Sequence, residues 1–292
     1  MVFTSADPKW ACLMVMRADR ISFSSQHKYC HPMKKNVYLI MIVLVSACHS
    51  VPEPEFAKNP VVAHRGAWKN TGAPQNSFEA FEMALDREYG GTEFDVHMTA
   101  DSVLVVNHDP TYFGMPVQES TYRELNATKL SNGEDLPLLY NFLERGVKQE
   151  STRLFLEIKP SERGPEWASA TAAKVVGMVK SLKAEPWVIY ISFDMAILKQ
   201  VLRHDPGAKV MFLGGNIPPE AIYQDKLSGM AYHYSQYRFN EDWIAESRRL
   251  GMAVYAWTVN DPLEMIWLLN HMIRYIATDE PEILLDMYQR HL

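Results

Sequence analysis

The sequence predicts an α/β protein folded as a single-domain (β/α)8 TIM barrel, with a β-hairpin excursion after the second strand. Three observations point there. Short apolar runs alternate with amphipathic stretches of helical length over about 230 residues. Nearly every run ends in polar side chains able to carry chemistry, as barrel strands do at their carboxyl ends. No G-x-G-x-x-G or P-loop follows any of them, which removes the usual support for the main competitor, a nucleotide-binding open sheet.

In chain order the predicted strands are Val61 to Ala63, Thr92 to Val96, Leu154 to Ile158, Val188 to Ser192, Lys209 to Leu213, Met230 to Tyr232, Ala253 to Trp257 and Tyr275 to Thr278. The predicted helices are Ser77 to Glu88, Trp167 to Leu182, Met195 to Arg203, Glu241 to Leu250, Pro262 to Leu269 and Pro281 to Tyr288. A ninth apolar run, Val103 to Val106, follows the second strand after only Thr99 to Ser102. That gap is too short for a parallel crossover, so the two runs must form an antiparallel hairpin. With the turn near Ala100-Asp101, Asp95 lies opposite a residue near position 106 to 108, which returns His108 to the carboxylates of the second strand.

Of 292 residues, 29 are Lys or Arg and 35 are Asp or Glu, giving a net charge of −6 with 47% hydrophobic residues. The acidic balance and the lack of any long basic run argue against a nucleic-acid partner. The three cysteines, Cys12, Cys30 and Cys48, leave none beyond His49, so the folded part can use no disulfide, thiolate nucleophile or zinc thiolate. Residues 1 to 47 carry six basic side chains against Asp7 and Asp19, a net of +4 that leaves −10 for the remainder.

That amino-terminal region reads as an address. Met33-Lys34-Lys35-Asn36 precedes the uncharged run Val37 to Val45, the length of a signal-peptide core and too short to span a bilayer. It ends in Val45-Ser46-Ala47-Cys48, which resembles the bacterial lipoprotein box. The expected layout is an upstream extension outside the native product (1–32), a lipoprotein signal (33–47), a Pro-rich tether (48–60) and the barrel (61–292). By that resemblance Cys48 is the lipidated first mature residue, and the protein is exported to the bacterial cell envelope with a membrane anchor.

The chemistry collects at strand ends. Glu93 and Asp95 are two apart, so their side chains share one face of a strand while Phe94 points into packing. Glu157 and Lys159 repeat the spacing on the next barrel strand. Three carboxylates converging at a barrel mouth repel unless a cation or proton sits among them, and an oxygen-only set suits Mg²⁺ or Ca²⁺. His64 and His108 form the acid–base pair near neutral pH. Arg65 and Lys159 suit the non-bridging oxygens of a phosphate. Together these residues describe metal-assisted phosphoryl transfer to water. Trp257, with Asn76, is a candidate substrate wall, and His97, one step beyond Asp95, is expected at the rim rather than as a ligand.

His64-Arg65-Gly66, Pro74-Gln75-Asn76-Ser77, Glu93-Phe94-Asp95-Val96, His108-Asp109, Glu157-Ile158-Lys159, Trp257-Thr258-Val259-Asn260 and Thr278-Asp279-Glu280-Pro281 together resemble the glycerophosphodiester phosphodiesterases over residues 61 to 288. The resemblance implies a barrel with one divalent cation that hydrolyses small glycerophosphodiesters to glycerol 3-phosphate and an alcohol. It maps the metal ligands to Glu93, Asp95 and Glu157, the acid–base pair to His64 and His108, and the phosphate grip to Arg65 and Lys159. The nucleophile is water or the neighbouring glycerol hydroxyl, the latter through a cyclic phosphate. Three departures stand out: Gln75 where the family usually has Glu, Tyr112-Phe113-Gly114 in place of an Arg-Thr-Thr segment, and Pro137-Leu138-Leu139-Tyr140 in place of Pro-Thr-Leu-Glu. The alternatives are a phosphoinositide- or phospholipid-specific phosphodiesterase on the same barrel, and a glycerophosphodiester-binding lipoprotein without turnover.

Overall fold

A computed structural model describes residues 54–291. The expected signal and the Cys48 anchor lie outside the described residues. Among those described, no helix is long and apolar enough to cross a membrane.

The strands are β1 (Val61–Ala63), β2 (Gly91–Met98), β3 (Leu104–Val106), β4 (Thr111–Tyr112), β5 (Met115–Pro116), β6 (Arg153–Ile158), β7 (Val188–Ser192), β8 (Lys209–Phe212), β9 (Gly229–His233), β10 (Ala253–Trp257) and β11 (Tyr275–Thr278). The helices are α1 (Phe78–Asp86), α2 (Tyr122–Leu125), α3 (Leu139–Gly146), α4 (Pro165–Ser181), α5 (Met195–His204), α6 (Pro219–Gln224), α7 (Tyr234–Phe239), α8 (Asp242–Arg249), α9 (Pro262–Asn270) and α10 (Pro281–His291). Eight parallel strands run in the order β1, β11, β10, β9, β8, β7, β6, β2, and β1 pairs with β2 to close the barrel. Strand β3 adds antiparallel to β2, with Val96 opposite Val106 and the Asn107 amide donating to the Asp95 carbonyl at 3.0 Å. The predicted hairpin therefore holds in its register.

Alternation along the strands sorts the core into two layers. Val62, Phe155, Ile189, Ile191, Met211, Leu213, Ala231 and Tyr255 fill the barrel interior. Phe94, Val96 and Met98 face outward against α1 and α3, where Phe81, Phe94 and Phe142 meet with ring centroids 4.4 to 5.9 Å apart. Burying each such ring contributes about 1.5–3 kcal/mol, so Phe94 fastens the very strand whose other face carries the acids. A third cluster, including Val105, Tyr112, Val117, Leu125 and Leu136, is the separate core of the excursion after β3.

Helix starts follow capping chemistry. Ser77, Asp194 and Asp261 accept backbone amides at the first turns of α1, α5 and α9, satisfying donors that a helix start leaves unpaired. Proline opens α9 and α10, where its missing N–H costs nothing. The short helices α2, α3, α6 and α7 were not among the predicted elements. Part of the expected tether is also built into the barrel. The Asn59 side chain accepts from Gly90 N at 2.8 Å, Ala57 N donates to Ser151 O at 2.7 Å, and the Arg153 guanidinium lies 3.9 Å over the Phe56 ring.

Candidate active site

Strand β2 carries Glu93, Asp95 and His97 on its inward face, and Asp95 is the register partner of Glu157 on β6. All three carboxylates are buried, and one oxygen from each lies within 4.8 Å of the others. Among the described residues this is the only such group of acid, imidazole or thiol side chains. Burial, then the charges of Asp95 and Glu157, push the Glu93 carboxyl well above its usual range. Burial and Asp95 push Glu157 up to about 7. Burial acts the same way on Asp95, but Lys159, His108, Asn76 and Arg65 outweigh it and hold that carboxyl below its ordinary value. Glu93 Oε1 is buried without a hydrogen-bond partner. An orphaned carboxylate oxygen among converging acids fits a bound hard cation.

The loop after β1 supplies two groups in one tight turn. Arg65 sits in the left-handed region at φ +60°, and its N–H donates to Glu93 Oε2 at 3.0 Å. Gly66 follows at φ +83°, where an added Cβ would stand 2.7 Å from the Ala80 backbone, so only glycine lets α1 approach this closely. The Arg65 guanidinium donates from Nη1 to Gln75 Oε1 at 2.6 Å, while its Nε is buried without a hydrogen-bond acceptor and lies 3.8 Å from Asp95 Oδ2. Lys159 Nζ stands between Asp95 Oδ1 at 3.1 Å and Glu157 Oε1 at 2.8 Å. Burial lowers its pKa, but those two carboxylates more than reverse this and keep it a fixed cation.

Each candidate histidine is aimed by a carboxylate. His64 Nδ1 lies 2.7 Å from Asp279 Oδ1, across the seam between β1 and β11. Asn260 donates to Asp279 Oδ2 at 2.7 Å and accepts from Thr278 Oγ1 and Asp279 N, so two sequence motifs converge on one imidazole. Burial pushes the Asp279 carboxyl up, yet the hydrogen bond and charge of His64 leave it below its usual range. His108 Nδ1 lies 2.7 Å from Asp109 Oδ1, and burial lowers the His108 pKa. Both rings thereby present Nε2 for proton transfer. Asp279, Asn260 and Asp109 stood inside the recognised motifs, but residue types alone gave them no separate task.

Two residues sit differently from expectation. Asn76 lines the cleft but does more than a wall: it is buried at φ +58°, donates to Asp95 Oδ2 at 2.8 Å and accepts from Asp95 N, so it also holds the carboxylate. His97 is not at the rim but buried, because the excursion folds over it, and burial lowers its pKa to about 4. Trp257 keeps a partly open face, donates from Nε1 to Ala231 O and packs edge-on against Phe193 and His233. A cleft of about 250 Å³ lined by Arg65, Gln75, Asn76, His108 and Asp109 opens beside the acids. Larger clefts near Lys58 and Arg248, at the amino ends of the strands, carry no comparable cluster.

A closed parallel barrel with three buried acids, two carboxylate-aimed imidazoles and two cations at one mouth defines a barrel enzyme of phosphate-ester chemistry. Residues 64–283 match the model of the glycerophosphoryl diester phosphodiesterase family, and the chain belongs to that family. Its buried acid cluster fits the metal on which the family depends. A crystal structure of a glycerophosphodiester phosphodiesterase from Parabacteroides distasonis is 38% identical with a TM-score of 0.77, and the match covers 81% of this chain and 99% of that one. A glycerophosphodiester phosphodiesterase of Caldanaerobacter subterraneus subsp. tengcongensis is 26% identical over 249 residues, 80% of this chain and 99% of the relative. A phosphodiesterase from Oleispira antarctica, solved with sn-glycerol-3-phosphate, shares the fold at 22% identity and TM-score 0.68, over 78% of this chain and 96% of that one.

Proposed function

We propose that this chain hydrolyses glycerophosphodiesters to glycerol 3-phosphate and an alcohol, using one divalent cation, Mg²⁺ or Ca²⁺. The observation that carries the reading is the placement of His64 and His108 beside the acid triplet, each with Nδ1 committed to a carboxylate. Glu93, Asp95 and Glu157 would hold the ion, which when bound supplies charge stabilisation at the phosphate oxygens. Arg65 and Lys159 bind the non-bridging oxygens. One imidazole accepts the proton of the attacking hydroxyl at Nε2, and the other delivers a proton to the departing alkoxide. The open face of Trp257 packs against the glycerol carbons. At the amino terminus, Cys48 would be acylated and would anchor the enzyme in the bacterial envelope, a reading supported by the Val45-Ser46-Ala47-Cys48 box.

The decisive assay measures glycerol 3-phosphate release from glycerophosphocholine, glycerophosphoethanolamine and glycerophosphoglycerol, with Mg²⁺, Ca²⁺ or chelator. Release that chelator abolishes is expected; binding without release from any of the three would leave the non-catalytic alternative standing. Gln75 supplies a finer test. A glutamate there adds a charge facing Arg65, and an ion pair of this exposed kind is worth about 0.2–1 kcal/mol. Gln75→Glu is therefore expected to weaken glycerol 3-phosphate binding by about 1.4–5-fold, read by titration calorimetry.

A further inference from the structure

The buried His97 and Gln118 take no part in the reaction described above, yet their hydrogen bonds join the loops that carry His108 and Lys159. His97 is 3% exposed and Gln118 6%. His97 Nε2 lies 3.4 Å from the His108 carbonyl oxygen, and His97 Nδ1 lies 3.4 Å from Gln118 Nε2. Gln118 Nε2 also donates to Pro160 O at 3.3 Å, and Gln118 Oε1 accepts from Ser161 Oγ at 2.8 Å. Arg163 Nη1 donates to the Gln118 carbonyl at 3.0 Å while its guanidinium stacks 3.6 Å over the Trp167 ring.

The orientations are forced. An amide nitrogen only donates, so His97 Nδ1 must accept, and the single proton of the neutral ring is left on Nε2 to be given to the His108 carbonyl. Turning the Gln118 amide over would set its oxygen against the Pro160 carbonyl, so that orientation is fixed too. Every polar atom of the two side chains is then used, which is the condition under which a buried polar network specifies one geometry.

We propose that His97 and Gln118 are positioning residues that set the place of the His108 imidazole. Asp109 aims the ring, and His97 holds the backbone from which it projects. This rests on the phosphodiesterase reading with His108 in proton transfer. Because proton transfer depends on sub-ångström placement, loosening the His108 backbone slows the chemical step and spares substrate binding, which other residues perform.

The test is a kinetic cycle on glycerophosphoethanolamine hydrolysis. His97→Ala is expected to lower kcat by about 10–100-fold with KM within about 2-fold of wild type. His97→Gln, whose amide N–H reaches the same carbonyl, is expected to recover most of the loss. In a His108→Ala background, His97→Ala should cost nothing further, since the group it positions is gone. The rise in melting temperature on adding Mg²⁺ should be unchanged in His97→Ala, which excludes damage to the acid cluster. Gln118→Ala keeps the test open if His97→Ala does not fold, and should lower kcat in the same direction. An equal loss in both backgrounds, or a loss that appears in KM, would overturn the proposal, as would an unchanged kcat. A wild-type chain inactive on every glycerophosphodiester would instead fail the reading of function.

Discussion

Replacing His108 with alanine is expected to lower turnover by about 10²–10⁴-fold, the range that a positioned proton-transfer group contributes. The fold should be untouched, because the His108 ring is only partly covered and its one side-chain partner is the exposed Asp109. Glycerol 3-phosphate should still bind, since Arg65 and Lys159 remain. Stopped-assay turnover, melting temperature and product calorimetry on one preparation separate these outcomes. Turnover within about 3-fold of wild type would remove His108 from the reaction, where a true proton-transfer residue costs about 10²-fold or more. His64→Ala is expected to show a loss of the same order, and its partner Asp279, partly exposed at the seam, would lose its imidazole partner.

The second large effect concerns Glu93. With metal absent, its carboxyl is buried beside two other carboxylates, which makes ionising it costly, and one of its oxygens has no partner. Glu93→Gln removes that cost of ionisation, so above neutral pH the metal-free protein should melt about 3–8 °C higher. The same change should reduce turnover by at least about 10²-fold and shrink the stabilisation gained on adding Mg²⁺. A ligand that is merely structural would not move these two readouts in opposite directions.

The acids also set a pH dependence for the metal-free wild type. Glu157 titrates in the unfolded chain near its usual 4.5 but in the folded protein at about 7, and Glu93 shifts upward as well. Between those values the native state holds protons that the unfolded state has released, so stability falls as pH rises through that window. Asp95 works the other way at lower pH, because its depressed pKa favours folding until acid protonates it. Saturating metal, which binds the ionised carboxylates, is expected to abolish the decline between pH 4.5 and 7. Chemical denaturation at several pH values, with and without Mg²⁺, measures it.

The eight barrel strands were legible because each is a short apolar run and nearly all close in a polar end, and β1, β7, β10 and β11 have the bounds the pattern suggested. The spacing of Glu93, Asp95 and Glu157 was legible because strand alternation has a fixed period. The helices α2, α6 and α7 were not, since four to six residues are too few to display a 3.6-residue period. For α2 a signal was nonetheless present: Thr121 and Glu124 form a reciprocal capping box. His97 was misplaced because strand position says which face a side chain takes but not what later folds across it. The hold of Asn76 on Asp95 was not legible because the left-handed backbone that turns its amide onto the carboxylate leaves no trace in residue type.

The His64–Asp279 hydrogen bond has a consequence for when the enzyme can first work. It joins the ends of the earliest and latest barrel strands, and β1 needs β11 as its parallel neighbour. A nascent chain that has reached only β10 holds the acids, both cations and His108, yet its first imidazole has no carboxylate to aim it and β1 lacks one flank. The aimed His64 is therefore completed only when the final strand closes against the first, whatever the order in which the other strands assemble.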